Sequence, residues 1–333
     1  PKNPDWINRD RFILSAGHGS MLLYSLLYLT GYEKIKIDDI KNFRQLNSIC
    51  AGHPEYERGS GIETTTGPLG QGLSNSVGMA IAEEILKKKF GSDLINNKTY
   101  VIASDGDLME GISHEAMSLA GHLNLKNLIV FFDNNKISID GPTSLSVSDN
   151  YKKRFESYGW SFQEINGHNF KQIFNAIKKA KNSKKPSIIS CKTVIGFGSP
   201  NKSGKASSHG SPLGDDEIKL VRKKLGWKYK PFEIPEKIFN SWREIGNKGE
   251  NFEKKWNNIL AKKNNKIKEE YERLMKGDLP IAIDKIIGDE KLKFFQTKPK
   301  MATRQCSSSV IGSISNVLPE LIGGSADLSG SNN

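Results

Sequence analysis

The fold of this 333-residue chain is indicated most clearly by two stretches, YVIASDGDLME (Tyr100–Glu110) and LIVFFDNN (Leu128–Asn135). Each begins with a run of apolar residues that is typical of a strand buried on both faces. A helical pattern over about residues 110–124 separates the two runs. Buried strands that alternate with helices predict a parallel sheet with helices on both faces, so we expect an α/β fold.

The alternation continues on both sides of these stretches. Two further strands are predicted at Trp160–Ile165 and Ser187–Cys191. Helices are predicted at Ser20–Thr30, Leu73–Phe90 and Phe170–Lys181. The first two hundred residues therefore read as one layered α/β domain.

The rest of the chain predicts further segments. Residues 1–276 form the main domain, residues 277–300 form a linker with one helical segment, and residues 301–333 begin a second α/β domain. In that last segment we predict a helix over about residues 303–316 and a strand over 320–322. One helix and one strand cannot bury a core alone, so we expect the chain to be a piece of a longer protein.

Basic residues outnumber acidic ones and give a net charge of +12. Nucleic-acid binding would explain such a charge. However, 40 of the 49 basic residues are Lys and nine are Arg, whereas sequence-specific nucleic-acid sites favour the Arg fork. We therefore interpret the lysines as solvated surface, with at most a modest attraction for phosphorylated substrates, and expect no nucleic-acid partner.

Two further features limit the class of protein. No run of about 18 apolar residues occurs and the mean hydropathy is −0.51, so we expect no membrane span and no membrane partner. The three cysteines, Cys50, Cys191 and Cys306, are widely spaced and odd in number, which argues against a disulfide framework or a structural zinc. A cytoplasmic protein fits this pattern best.

Polar residues end the two strands quoted first. Asp105 follows one strand and Asn135 follows the next, thirty positions along the chain. Ligands of open α/β sheets bind at the carboxyl ends of strands, and a carboxylate with an amide oxygen suits Mg²⁺ when phosphate oxygens complete its shell. Gly106 would let backbone amides approach a phosphate. An ordinary turn, in which Asp, Gly and Asn are common, is the alternative.

Loops rich in Gly and Ser hold three of the six histidines. His18, His53 and His209 lie in such loops, where a core role fits poorly, and neutral histidines beside a phosphate-bearing ligand would suit proton transfer. The loop from Gly59 to Gly72, which precedes a predicted helix, is either an anion cradle or a surface turn. The remaining histidines are interpreted as structural: His114, His122 and His168.

Taken together, these motifs resemble the transketolase family. The resemblance spans nearly the whole chain, and its long motifs occur in the family's order. They are SAGHGSMLLYSLLYLTGY (Ser15–Tyr32), AGHPE (Ala51–Glu55), GIETTTGPLGQGLSNSVGMAIAE (Gly61–Glu83), SDGDLMEGISHEAMSLAGHL (Ser104–Leu123), FFDNNKISIDG (Phe131–Gly141), CKTVIGFGSPNKSG (Cys191–Gly204), SHGSPLG (Ser208–Gly214), LGWKYKPFEIP (Leu225–Pro235) and GGSADLS (Gly323–Ser329).

The resemblance implies the thiamine diphosphate-binding fold and a ketol transferase. The reaction moves a two-carbon ketol group reversibly from xylulose 5-phosphate to ribose 5-phosphate or erythrose 4-phosphate, in the non-oxidative pentose phosphate pathway or the Calvin cycle. The implied cofactors are thiamine diphosphate and Mg²⁺ (or Ca²⁺, Mn²⁺ or Co²⁺), and the implied assembly is a homodimer of the full-length chain. Residues 1–276 would be the diphosphate-binding domain without its extreme N-terminus, and residues 301–333 the start of the pyrimidine-binding domain.

The resemblance also assigns roles residue by residue. It implies catalysis by His18, His53 and His209, and metal binding by Asp105, Asn135 and the Ile137 carbonyl. The positions implied to contact the cofactor are His18, Gly67, Leu69, Asp105, Gly106, Glu110, Asn135, His209 and Asp327 (of the neighbouring subunit). The positions implied to contact the substrate are His53, His209, Arg304 and Ser331.

Two departures from the family's pattern qualify these assignments. Ser104 stands where the family usually has glycine, a small-for-small change that we expect to be tolerated. The segment with the glutamate that activates the aminopyrimidine lies outside this chain, so we expect the chain alone to show little or no turnover.

Other interpretations stay open at this point. The chain could be a subunit of a split transketolase or part of a dihydroxyacetone synthase-like enzyme. Asp105-Gly106-Asp107 also resembles the strand-end motif of haloacid-dehalogenase-type phosphatases, although Met109 fits that motif poorly. A non-enzymatic basic binding protein is the last alternative, and its signature would be a steep salt dependence of nucleic-acid affinity.

Overall fold

The computed structural model describes residues 1–325 and 327–332. The chain divides into two compact units, residues 1–260 and residues 261–333, and the first unit is built around a parallel sheet. The strands of the first unit are β1 (Arg11–Leu14), β2 (Thr99–Ser104), β3 (Leu128–Asn134), β4 (Ile137–Ser138), β5 (Gly141–Pro142), β6 (Ser161–Asn166) and β7 (Ser187–Lys192). Five of them pair in parallel in the order β1-β2-β3-β7-β6, and β4 with β5 forms a short antiparallel hairpin. The predicted α/β class is confirmed.

Nine helices begin among the described residues of this unit. They are α1 (Ser20–Thr30), α2 (Ile37–Lys41), α3 (Gln71–Phe90), α4 (Asp105–Met109), α5 (Gly111–His122), α6 (Tyr151–Ser157), α7 (Phe170–Lys181), α8 (Asp215–Lys224) and α9 (Glu236–Ala261). The predicted bounds of α1 and α7 are confirmed. The strand β1 was not predicted, because its four residues begin with a charged side chain and are too few to show a period.

Helices cover both faces of the sheet. Alternate residues of a strand point to opposite faces, and in β3 the two sets belong to different apolar clusters. Val130 and Phe132 lie in the cluster that includes α3, α5 and α6, whereas Ile129 packs with Ala176 and Ala180 of α7. Each large apolar side chain buried in this way contributes about 1.5–3 kcal/mol to folding.

The contact between α5 and the turn before β6 is especially close. A Cβ atom on Gly121 would lie 1.7 Å from the Tyr158 carbonyl oxygen, so only glycine fits at this position. Beside it, the buried Trp160 indole donates a hydrogen bond to the Met117 carbonyl at 2.8 Å. This contact fixes α5, which follows directly on the end of β2 and α4.

Only helices occur among the described residues after Ala261. They are α10 (Asn265–Lys276), α11 (Ile283–Thr297), α12 (Thr303–Ser315) and α13 (Ser329–Asn332). The strand predicted at residues 320–322 is therefore wrong, because no neighbouring strand is present there to accept its backbone hydrogen bonds. The predicted segment boundaries at residues 276 and 300 stay predictions.

The charged stretch after residue 236 forms two helices. The interruption after Ala261 has a local cause: Asn264 caps α10, and its side chain accepts a hydrogen bond from the Ile267 N–H at 2.9 Å. No helix in the described ranges is long and apolar enough to cross a membrane.

Candidate active site

The carboxyl ends of β2 and β3 lie side by side at one edge of the sheet. The strands pair through Ser104 and Asp133, so the residues that follow them, Asp105 and Asn135, reach the same edge, as the strand pattern predicts. The Lys136 N–H donates to Asp105 Oδ2 at 3.3 Å and joins the two strand ends.

Asp105 is a buried carboxylate with an unsatisfied oxygen. The residue is 3% exposed, and its Oδ1 has no hydrogen-bond partner among the described residues. Burial raises the pKa of Asp105 to about 6, and the nearby Asp133 adds to this rise while the Lys136 N–H opposes it. A buried carboxylate without a counter-ion is unfavourable, so this oxygen is suited to binding a cation.

Asn135 is held in one orientation by its neighbours. Its Oδ1 accepts a hydrogen bond from the Ile137 N–H at 2.9 Å, and its Nδ2 donates to Asp133 Oδ2 at 3.1 Å. Asp133 in turn accepts a hydrogen bond from the Thr193 hydroxyl. Such outer contacts orient a metal ligand and tune its affinity, and sequence analysis did not single out Asp133 or Thr193.

The Ile137 carbonyl is the third candidate ligand. The residue opposite it in the β4–β5 hairpin is Pro142, which has no N–H to donate to that carbonyl. In the part of the chain that the structure describes, no group of three His, Cys, Asp or Glu side chains could hold a metal. The candidate set is therefore one carboxylate, one amide oxygen and one backbone carbonyl, which suits Mg²⁺ once phosphate oxygens and water complete an octahedron.

Asp107 joins three chain segments at this edge. Its Oδ1 accepts hydrogen bonds from the Ser15 hydroxyl at 2.7 Å and the Gly70 N–H at 2.8 Å. Its Oδ2 accepts from the Ser104 N–H at 2.9 Å and the Ser104 hydroxyl at 3.0 Å. Ser15 Oγ also accepts a hydrogen bond from the Leu73 N–H at 2.9 Å. Because the N–H groups of Gly70 and Leu73 already donate to protein oxygens, these two groups are not available to bind an anion.

The same contacts argue against the phosphatase interpretation. Asp107 is fully buried, and its two oxygens already accept four hydrogen bonds. A carboxylate in this state is not free to exchange protons with a substrate. In the sequence, Asp107 stood out only as part of that motif. Its spacing of three residues from Ser104 is typical of a capping box and could have assigned Asp107 to the start of α4.

Three glycines bring the flanking loops close to this edge. A Cβ atom on Gly67, where φ is +139°, would lie 3.2 Å from His53 Cγ. A Cβ atom on Gly17 would lie 2.7 Å from the Gly67 nitrogen, and one on Gly106 would lie 2.8 Å from Leu69 Cδ1. The glycine loop, the His18 loop and the end of β2 are thus in direct contact.

The histidines of the Gly/Ser loops gather at the same place. The rings of His18 and His209 stack with centroids 4.7 Å apart and an interplanar angle of 22°. Burial lowers the pKa of His18, and the nearby His209 lowers it further, with a smaller contribution from His53. Nδ1 of His209 is buried without a hydrogen-bond partner among the described residues. The lowered pKa keeps the His18 imidazole neutral at pH 7.

The remaining predicted site residues are Glu110 of the first unit and three residues of the second unit. Glu110 is exposed between α4 and α5, and its Cβ would lie 3.0 Å from a Cβ on Gly70. Arg304 is exposed in α12, Ser331 is exposed in α13, and Asp327 is exposed just before α13. The roles implied for these positions stay predictions.

The sheet and its polar edge define an α/β cofactor-binding domain. Residues 1–280 match the family model described as "Transketolase, thiamine diphosphate binding domain". The chain belongs to the transketolase family, and it contains that family's thiamine diphosphate-binding domain.

The similar proteins are longer than this chain. It is 52% identical over 340 residues to "Transketolase" of Buchnera aphidicola from Acyrthosiphon pisum, and 49% identical over 340 residues to "Transketolase 1" of Escherichia coli. Each match covers 100% of this chain and 51% of the relative, so the chain spans about half their length.

Solved transketolases share the fold. The crystal structure from Campylobacter jejuni has a TM-score of 0.89 and 41% identity, and covers 100% of this chain and 51% of its own. A mutant transketolase from Pichia stipitis in complex with fructose 6-phosphate has a TM-score of 0.91 and 40% identity, and covers 100% of this chain and 50% of its own.

Proposed function

We propose that the protein containing this chain is a transketolase, and that this chain supplies the diphosphate and metal half of its active site. The observation that carries the proposal is the buried Oδ1 of Asp105, which has no hydrogen-bond partner among the described residues and lies where the two strand ends meet. A site of this kind requires a cation, and a diphosphate group would bring the missing oxygen ligands.

Thiamine diphosphate and a divalent metal, Mg²⁺ by preference over Ca²⁺, Mn²⁺ or Co²⁺, are the proposed cofactors. Bound thiamine diphosphate supplies a nucleophilic carbon and an electron sink for breaking a C–C bond next to a carbonyl. Asp105, Asn135 and the Ile137 carbonyl would hold the metal, and Gly106 would let the diphosphate approach the backbone. Gly67 and Leu69 would line the ring region.

The histidines are proposed to hold and move protons. His18 is kept neutral by burial and by His209, so it can donate from one ring nitrogen and accept at the other. His209, stacked on His18, has a buried Nδ1 free to bind a substrate hydroxyl or exchange a proton with it. His53, packed against Gly67, would contact the ketol hydroxyl of the donor.

The proposed substrates are sugar phosphates. One of the similar Pichia stipitis structures is a complex with sedoheptulose 7-phosphate, and another is a complex with fructose 6-phosphate. The donor would be xylulose 5-phosphate and the acceptor ribose 5-phosphate or erythrose 4-phosphate, in the non-oxidative pentose phosphate pathway or the Calvin cycle. Arg304 and Ser331 would bind substrate phosphate. Glu110 would lie near the cofactor of its own chain, and Asp327 would lie near the cofactor of the neighbouring subunit.

A cytoplasmic homodimer of the full-length protein is part of the proposal. The test is a ketol-transfer assay on the full-length protein with xylulose 5-phosphate and ribose 5-phosphate. We expect sedoheptulose 7-phosphate to form only when thiamine diphosphate and Mg²⁺ are present. Absence of that product with both cofactors saturating would refute the proposal.

A further inference from the structure

The loop that carries His209 has little regular structure of its own. It runs from the end of β7 to the start of α8 and contains only one turn of 3-10 helix, Ala206–Ser208, directly before His209. His209 nevertheless stacks on His18 in a defined geometry. A contact elsewhere in the loop must therefore hold this segment in place.

Glu217, in the first turn of α8, makes that contact. Its Oε1 accepts hydrogen bonds from the Ser199 hydroxyl and from the Asn201 N–H at 2.9 Å. Its Oε2 accepts from Asn201 Nδ2 at 2.8 Å. One carboxylate thus ties residues 199–201 to α8 and closes a loop that has His209 between its two ends.

Further hydrogen bonds connect this tie to His209. The Lys202 N–H donates to Ser199 Oγ at 3.0 Å, and the Ser208 hydroxyl donates to the Lys202 carbonyl. The His209 N–H donates to the Ala206 carbonyl at 2.8 Å. A continuous chain of hydrogen bonds therefore leads from Glu217 through Ser199 and Lys202 to the residue before His209.

The carboxylate at this position is built to stay charged. Glu217 is 8% exposed, and Ser199 beside it is 1% exposed. The hydrogen bonds from Ser199 and Asn201 lower the pKa of Glu217 to about 2. Hydrogen bonds to an ionised acceptor are stronger than neutral ones, so the tie holds at any pH near neutrality.

We propose that Glu217 is a positioning residue that fixes the His209 loop against the active site. It touches neither the reacting atoms nor the proposed cofactor, and it acts through His209. The part of this inference that concerns catalysis rests on the proposed function, whereas the closing of the loop does not.

The first test measures the loop itself. Trypsin cuts after Lys202 and Lys205, which lie inside the closed loop. In the full-length protein, Glu217→Ala should raise the rate of cleavage at these sites by at least about tenfold, because cleavage follows the population of the open loop. Glu217→Gln, which keeps one oxygen acceptor, should give a smaller increase.

Asp216→Asn is the matched control. Asp216 is the neighbouring carboxylate, its side chain is 95% exposed, and it pairs with Lys219 on the surface. This variant should leave both the cleavage rate and the ketol-transfer activity unchanged. Equal cleavage rates in wild type, Glu217→Ala and Glu217→Gln would overturn the proposal.

The second test asks whether Glu217 acts through His209. Glu217→Ala should lower kcat by about 10- to 100-fold, since a misplaced active-site group costs this much. In a His209→Ala background the same change should alter kcat by less than about twofold, because residues that act as one unit are not additive. An equal loss in both backgrounds would mean a structural role only and would overturn the positioning role.

The two tests separate the possible failures. If the wild-type protein transfers no ketol group, the proposed function fails while the trypsin comparison still decides whether Glu217 closes the loop. If Glu217→Ala does not fold, Glu217→Gln supplies both measurements.

Discussion

The two carboxylates that follow β2, Asp105 and Asp107, should affect protein stability in opposite directions when each is replaced by asparagine. One oxygen of Asp105 has no hydrogen-bond partner within residues 1–325 and 327–332, whereas Asp107 accepts four hydrogen bonds. Both residues are buried, and they are two positions apart. In metal-free protein, Asp105→Asn should therefore raise the free energy of unfolding, and Asp107→Asn should lower it.

The magnitude for Asp105 follows from its pKa. Burial raises the pKa of Asp105 from 3.8 in the unfolded chain to about 6 in the folded one. The folded state then binds the proton more tightly, so wild-type stability falls as the pH rises from about 4 to about 6, by up to about 3 kcal/mol. Asparagine carries no charge, so the gain from Asp105→Asn should be near zero at pH 4 and largest above pH 6.

The magnitude for Asp107 follows from its hydrogen bonds. Whichever oxygen becomes an amide nitrogen in Asp107→Asn, one backbone N–H, of Gly70 or of Ser104, loses its acceptor. An unsatisfied buried donor costs about 1–3 kcal/mol, and the loss of charge weakens the remaining bonds. We expect a destabilisation of about 3 kcal/mol.

Urea unfolding in EDTA, followed by tryptophan fluorescence at pH 4.5 and pH 7.5, measures both effects as shifts of the midpoint. The reasoning is refuted if Asp105→Asn destabilises the metal-free protein at pH 7.5. It is also refuted if Asp107→Asn leaves the midpoint unchanged.

Three further predictions concern the packing around the site. Gly78 lies in α3 with open space around it, so Gly78→Ala should raise the free energy of unfolding by about 0.5–1 kcal/mol. Gly121→Ala should lower it by about 3 kcal/mol or more. Thermal unfolding compares the two variants, and equal shifts of the melting temperature would contradict the close packing of α5. Gly67→Ala should lower the free energy of unfolding by about 1–3 kcal/mol and reduce ketol transfer, because φ at this position is +139° and His53 must move. Unchanged activity and an unchanged melting temperature would contradict this prediction. Tyr151→Phe removes a buried hydroxyl that has no hydrogen-bond partner in the described part of the chain. The metal-free variant should be equally stable or up to about 1 kcal/mol more stable in urea, and a clear loss of stability would show that this hydroxyl is satisfied.

The strands and helices of the sheet could be predicted because their patterns are local. The residues of β3 are mostly buried on both faces and those of β2 alternate between buried and half-buried, so both strands are continuous apolar runs in the sequence. The predicted bounds of α1 and α7 match the observed ones. The segment at residues 320–322 has two apolar residues after Glu320 and was predicted as a strand, but it is not one. A strand forms only with a partner, and its own residues do not contain that information.

Part of the candidate site could be predicted, from polar residues that end a strand and from histidines in Gly/Ser loops. Asp105 and Asn135 stand out because each follows a buried run, and the parallel register places them together. Asp107 and Glu217 could not be assigned in this way, because their partners lie 37 and 16 to 18 positions away on other segments. Such contacts depend on the tertiary fold, although the Ser104–Asp107 spacing does signal the cap.

Equilibrium binding of thiamine diphosphate to the full-length protein shows whether Asp105 holds a metal ion that binds the cofactor. We expect tight binding with Mg²⁺ and weak binding in EDTA. At the same Mg²⁺ concentration, Asp105→Asn should bind the cofactor at least about 100-fold more weakly, because loss of the contacts around a metal ligand alone lowers metal affinity about 10- to 100-fold. Binding that is equally tight in wild type and Asp105→Asn, or that does not depend on a divalent metal, would contradict this role of Asp105.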